Sequence, residues 1–106
     1  MGIDDQLILE IIQRIRNVTA PDRIILFGSA ALGNMNRDSD IDLLILEPNL
    51  KQERQEWLKI RNVLRGLGFP FDVILMTTQR FEDTKEIVGG IAFPANKYGR
   101  VIYDAS

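Results

Sequence analysis

The stretch that decides the fold runs from Gly28 to Leu46, GSAALGNMNRDSDIDLLIL. Just before it, Arg23 to Phe27 (RIILF) is a short apolar run of the kind that forms a buried strand, and Gly28-Ser29 ends it abruptly. At its far end Ile41 to Leu46 (IDLLIL) is a second such run, closed by Glu47-Pro48-Asn49. The residues between, 30–40, are small, polar or turn-forming, with room for one helical turn through Ala30, Ala31 and Leu32. Side chains two apart on a strand share a face, so Asp40 and Asp42 project together while Ile41 and Leu43 face the other way.

Working outward, Asp4 or Asp5 is placed to cap a first helix in which Ile3, Leu7, Ile8, Ile11, Ile12, Ile15 and Val18 recur at helical spacing. Thr19-Ala20-Pro21-Asp22 stops it. Downstream, the spacing predicts an amphipathic helix from about Lys51 to Arg65, burying Leu50, Trp57, Ile60, Val63 and Leu64, with Gly66 and Gly68 ending it. Phe71 to Met76 (FDVILM) reads as a third strand, and Thr77 or Thr78 caps a helix reaching about Val88, broken by Gly89-Gly90. A short segment around Phe93 to Lys97 leads into a last strand at Arg100 to Tyr103. The expected order is α-β-β-α-β-α-β: an α+β fold, a small mixed β-sheet flanked by helices, in one domain over residues 1–106.

Composition narrows the chemistry. The 106 residues include no cysteine and no histidine, which excludes thiolate nucleophiles, disulfides, Cys-ligated zinc and any triad built on imidazole. A metal would have to be held by oxygen ligands, which points to Mg²⁺, Mn²⁺ or Ca²⁺. Thirteen basic against 15 acidic residues give a net charge of −2, unlike a protein that wraps nucleic acid on a broad basic surface. No apolar run is long enough to cross a bilayer, and the acidic start Met-Gly-Ile-Asp-Asp-Gln lacks the layout of a signal peptide. Gln6 stands where a myristoylation motif wants Ser or Thr. These features predict a soluble cytoplasmic protein.

Asp72 lies inside the third strand among Phe71, Val73, Ile74 and Leu75, company in which a charge is expensive. If the second and third strands are neighbours, Asp72 joins Asp40 and Asp42 in a cluster of carboxylates that repel one another unless a cation, Mg²⁺ foremost, lies between them. Gly28 and Ser29 supply the complement: a glycine after a buried strand allows close backbone approach to an anion, and free N–H groups with the Ser29 hydroxyl suit a phosphate. A phosphate cradle beside such a cluster is the minimal equipment for chemistry on a nucleoside triphosphate. Gly28 to Gly33 has Walker-like spacing, but Asn34 and Met35 occupy the places of the required Lys and Ser/Thr, and no G-x-G-x-x-G occurs.

Gly-Ser, ten residues, then Asp-x-Asp, with Asp72 on a later strand, resembles the minimal nucleotidyltransferases of the DNA polymerase beta superfamily. The resemblance covers most of the chain, including the helix before the first strand and the closing GGIAFPANKYGRVIY. It implies that Gly28 and Ser29 bind the triphosphate of ATP, that Asp40 and Asp42 coordinate Mg²⁺ (Mn²⁺ as substitute), and that Asp72 completes the site and helps deprotonate the attacking hydroxyl. Members often carry Arg where this sequence has Leu32, a departure that bears on the rate of transfer more than on the fold. Small members commonly act as antitoxins of helical HEPN-domain toxins, moving AMP from ATP onto a tyrosine of the toxin. The resemblance therefore implies a hetero-oligomer with a HEPN-type partner. Two other functions fit the same residues: transfer to a small molecule of the aminoglycoside type, and a binding module that neutralises its partner by contact alone.

A weaker signal lies on the second helix, where Lys51, Arg54, Arg61 and Arg65 form a stripe beside the apolar face. Such a stripe is either a solvated flank whose long stems cover the core edge or a docking surface for an acidic partner. Trp57 reads as a core anchor, Ser39 as a turn residue, Lys97 and Arg100 as surface charge, and Phe93, Tyr98 and Tyr103 as packing residues.

Overall fold

The computed structural model describes residues 3–28, 31 and 40–106. The elements, in chain order, are α1 (Asp5–Arg16), β1 (Arg23–Phe27), β2 (Ile41–Glu47), α2 (Glu53–Val63), β3 (Phe71–Thr77), α3 (Thr78–Thr84), α4 (Ala92–Tyr98) and β4 (Arg100–Asp104). The four strands form one sheet in the order β3-β2-β1-β4. β1 runs antiparallel to both β2 and β4, whereas β2 and β3 are parallel, with α2 in the crossover between them. This is the mixed α+β sheet that the apolar runs predict.

The two central strands are apolar on both faces because both faces are covered. On one side α1 and α2 bury Ile11, Ile15, Ile60 and Leu64 against Ile24, Leu26, Ile41, Leu43 and Ile45. On the other side α3 and α4 bring Phe81, Ala92 and Ala95 onto Ile25, Phe27, Leu44, Leu46 and Met76. Among the described residues no helix is long and apolar enough to cross a membrane.

Helix ends differ from the sequence expectation where local chemistry intervenes. Asp4 is the α1 cap, its Oδ1 accepting from the Leu7 N–H at 2.8 Å. α2 is two residues shorter at each end than expected: Gln52 provides no side-chain cap, and the far end is closed from outside. There Arg14 of α1 donates to the carbonyls of Val63 and Arg65 at 2.9 and 3.0 Å, satisfying acceptors a longer helix would have used itself. α3 starts on Thr77, which accepts from the Arg80 N–H, but stops at Thr84 rather than Val88. The Thr84 hydroxyl bonds back to the Arg80 carbonyl, and Ile87 and Val88 beyond it are exposed, with no apolar surface to hold another turn. The short segment around Phe93 is a full helix, α4, and Pro94 falls in its first turn, where an amide N–H has no partner to lose.

Trp57 is half-buried and has a second role besides packing. Its indole Nε1–H donates to the carbonyl of Val73 at 2.9 Å, so a residue of α2 holds the edge strand β3. Lys51, Arg54, Arg61 and Arg65 are exposed, and the Arg61 guanidinium lies 5.0 Å above the Trp57 ring. Trp57→Phe removes the five-membered half of the indole and leaves the Val73 carbonyl without its donor. It is expected to cost about 1 kcal/mol or more in urea unfolding followed by circular dichroism, and unchanged stability would mean that the bond to Val73 contributes nothing.

Candidate active site

The strand pairing brings the acidic residues to one end of the sheet. β2 and β3 are in register with Asp42 directly beside Asp72, and β1 places Phe27 opposite Asp42. The register is pinned at its start by the Ile41 N–H, which donates to the Pro70 carbonyl at 2.9 Å. Asp40 immediately precedes β2 and Gly28 immediately follows β1, so the end of one strand and the starts of two others meet here. Asp42 and Asp72 lie on the face covered by α3 and α4, as the alternation with Ile41 and Leu43 requires.

Burial grades across the three carboxylates. Asp42 is half-buried, while Asp40 and Asp72 are exposed. Burial pushes the Asp42 carboxyl above the usual aspartate range, and the negative charges of Asp72 and Asp40, with a hydrogen bond shared with Asp72, push it further. Repulsion between Asp42 and both of the other aspartates places all three within one electrostatic neighbourhood.

Gly28 has a backbone φ of 71°, a left-handed conformation that side chains rarely adopt. A Cβ there would also land on the Asp42 carboxylate. The glycine expected to admit an anion from outside therefore makes room first for a carboxylate of the chain itself. Ser29, assigned to the triphosphate on sequence grounds, lies outside the described residues, as do Leu32 and Ser39.

Among the described residues no group of three acidic side chains is drawn together as a metal-holding set. The chemistry of the donors nevertheless suits a hard divalent cation. All are carboxylate oxygens, and the central one holds its proton more tightly than an ordinary aspartate because it is partly buried and has Asp72 and Asp40 as neighbours of like charge. Asp40, Asp42 and Asp72 thus fit Mg²⁺ in ligand type and charge.

Sequence reasoning passed over one acidic residue. Glu47 continues the core-facing alternation of Ile41, Leu43 and Ile45, and it is buried. That alternation was the available signal.

The Gly28 geometry is testable. Gly28→Ala is expected to lower stability by about 1–2 kcal/mol from the left-handed backbone alone, with a further loss from the collision. Asp42→Ala in the same chain should restore only the collision part, so a double-mutant cycle in urea unfolding should show coupling between the two positions. Strict additivity would mean that Gly28 and Asp42 do not touch.

The chain is similar to known proteins in both sequence family and fold. The nucleotidyltransferase domain family matches residues 6–95. No curated protein is close enough in sequence to be matched. Among solved structures, a toxin-antitoxin complex with AMP-PNP superposes with a TM-score of 0.70 at 19% identity, over 93% of this chain and 74% of that one. An MntA-HpeT toxin-antitoxin mutant gives 0.69 at 17% identity, again over 93% and 74%. The tri-AMPylated HEPN toxin of Shewanella oneidensis in complex with its MNT antitoxin gives 0.65 at 15% identity, over 96% and 73%. At these identities the superpositions speak for the fold, while the family match extends over most of the sequence: the chain belongs to the nucleotidyltransferase domain family.

Proposed function

We propose that the protein transfers AMP from ATP to a hydroxyl of a partner protein, and that it is the antitoxin of a HEPN-type toxin. The observation that carries the reading is the meeting of Asp40, Asp42 and Asp72 with Gly28 at one sheet end, in a chain of this family. The partner is inferred from the fold shared with complexes described as toxin-antitoxin and HEPN–MNT assemblies.

In this reading the acceptor oxygen attacks the α-phosphorus of ATP, the bond from that phosphorus to the bridging oxygen breaks, and pyrophosphate leaves. Asp72, exposed at the strand start, is placed to take the proton of the acceptor hydroxyl. Asp40 and Asp42, with Asp72, would hold Mg²⁺, which supplies positive charge against the triphosphate when bound. Gly28, with Ser29 after it, opens the backbone to the phosphates. Asp42 lies half-buried beside Gly28, where a Cβ would strike its carboxylate.

The direct test incubates the protein with α-labelled ATP, Mg²⁺ and the product of the neighbouring gene. Label on a tyrosine of the partner supports the reading. A stable complex without label would replace it with neutralisation by contact, and label on an added aminoglycoside in place of the partner would replace it with small-molecule transfer.

A second test uses the repulsion itself. Asp42→Asn keeps the shape and removes one charge, so transfer should fall by at least about a hundredfold, while stability without metal stays equal or rises. The sign follows from the raised Asp42 pKa. Folding favours the protonated form, so the wild type is relatively more stable in acid, and its deficit against Asp42→Asn opens as pH rises through the folded pKa. Thermal melts in EDTA across pH check this. Mg²⁺ with ATP should then raise the wild-type melting temperature much more than that of the variant. A large loss of stability in EDTA at neutral pH would make Asp42 a structural residue.

A further inference from the structure

At the other end of β2, under α2, two carboxyls meet on a single hydroxyl. Glu47, the last residue of β2, is only 4% exposed, and Glu56 of α2 is half-buried beside it. The Thr19 hydroxyl lies 2.7 Å from Glu47 Oε1 and 2.9 Å from Glu56 Oε1. Two contacts of hydrogen-bond length need two protons, and a hydroxyl brings one. The second has to come from a carboxyl. A protonated carboxyl also donates to its neighbour, and Glu47 and Glu56 are hydrogen-bonded to each other. One shared proton thus satisfies the whole group, whereas none leaves two like charges together out of water.

The pair matters to α2 because the start of that helix has little else to hold it. Gln52 gives it no side-chain cap, and residues 51–55 are exposed. The stretch from Pro48 to Gln52 borders a cavity of about 420 Å³, which both glutamates also line. The first residues of α2 packed in the core are Trp57 and Ile60. We propose that Glu47 and Glu56 share a proton that latches the N-terminal half of α2 to β2, and that losing it at neutral to mildly alkaline pH releases this half-helix.

The surroundings favour the protonated pair. Burial raises the Glu47 carboxyl to about 7, with the hydrogen-bonded Glu56 carboxyl and the charges of Glu56 and Asp22 adding to it and the Thr19 hydroxyl opposing. Glu56 faces it from α2, and Thr19 and Asp22 from the segment between α1 and β1. Lys51 and Lys59 border the same cavity but are exposed. Cations of the neighbouring elements are turned elsewhere. Arg14 of α1 reaches the far end of α2, Arg16 lies over the Tyr103 ring, and Arg23 of β1 pairs with Glu82. Beside Glu47 on β3 is Thr77, which carries no charge. Among the described residues neither glutamate takes part in an ion pair.

Once the proton leaves, the carboxylates repel and one of the Thr19 contacts loses its proton. Glu47 is fixed in the sheet, so Glu56 is the one that turns to water, and the first turn of α2 goes with it. The next residue is Trp57, the single tryptophan of the chain, which therefore reports the event. Folding takes up a proton here. The stabilisation is complete below the ordinary glutamate value of 4.5 and is lost as pH rises through about 7.

The experiment follows Trp57 emission of the whole chain from about pH 5 to about pH 9 without denaturant, then repeats urea unfolding over that range. Wild type should show an emission transition with its midpoint near 7. In Glu47→Gln an amide N–H replaces the carboxyl proton at every pH, so the transition should vanish. Its folded-to-unfolded ratio should exceed that of wild type by up to about a hundredfold at alkaline pH, an advantage that closes in acid. Glu56→Gln gives Glu47 a permanent amide donor and should lower the midpoint by about one pH unit or more. Asp42 is unchanged in all three proteins and cancels from the comparison. Flat wild-type emission overturns the proposal, as does a transition retained in Glu47→Gln or an unmoved midpoint in Glu56→Gln, the result a purely packing role would give. If Glu47→Gln fails to fold, the Glu56→Gln midpoint decides alone. No nucleotide is present, so failure here leaves the transfer reading where it stood.

Discussion

The parallel pairing of β2 with β3 is the constraint on which the acidic end depends. It sets two aspartates side by side, an arrangement that costs a sheet stability when no opposite charge is near. The sheet bears that cost because the same pairing aligns Leu43, Leu44, Ile45 and Leu46, all fully buried, with Val73, Ile74, Leu75 and Met76. Burial of such side chains is worth about 1.5–3 kcal/mol each, several times the like-charge penalty in a partly solvated setting. The crossover through α2 then keeps β3 in place, since Trp57 bridges from the helix to the strand. Stability made in the middle of β2 is spent at its ends.

Much of this was legible in the sequence. Four apolar runs became four strands, and the alternation of Asp40, Ile41, Asp42 and Leu43 set the carboxylates on the face opposite Ile41 and Leu43. Asp72 stood out as a charge among Phe71, Val73 and Ile74, although the structure leaves it exposed on an edge strand, where a charge costs little. What could not be read was set by distant partners. The α2 terminus depends on Arg14, a residue of α1, reaching the Val63 and Arg65 carbonyls. The early end of α3 depends on there being nothing for Ile87 and Val88 to pack against. Gly28 was legible as a special position, but the carboxylate that demands its bare backbone belongs to a strand fourteen residues on.

β2 carries acid at both ends, in two different states. Asp42 sits half-buried at a strand start, where burial first and then neighbours of like charge raise its proton affinity. Glu47 sits under α2, where deeper burial, with the hydrogen-bonded Glu56 carboxyl, holds its proton up to about 7. One strand thus joins a partly solvated cluster, of the ligand type that suits a hard cation, to a more deeply buried and hydrogen-bonded carboxyl pair. The faces alternate along the strand, which keeps the two acidic clusters apart.

The indole of Trp57 on the Val73 carbonyl has a consequence for how copies of this chain can associate. A sheet with two open margins can add strands on both sides without limit, the geometry of a fibre. Here the β3 margin is obstructed by a side chain that already occupies one of its acceptors, leaving β4, with Val101 half exposed, as the accessible margin among the described residues. Backbone pairing from one margin alone joins two molecules about a twofold axis and then has nowhere to continue, so self-assembly through the sheet stops at a closed pair.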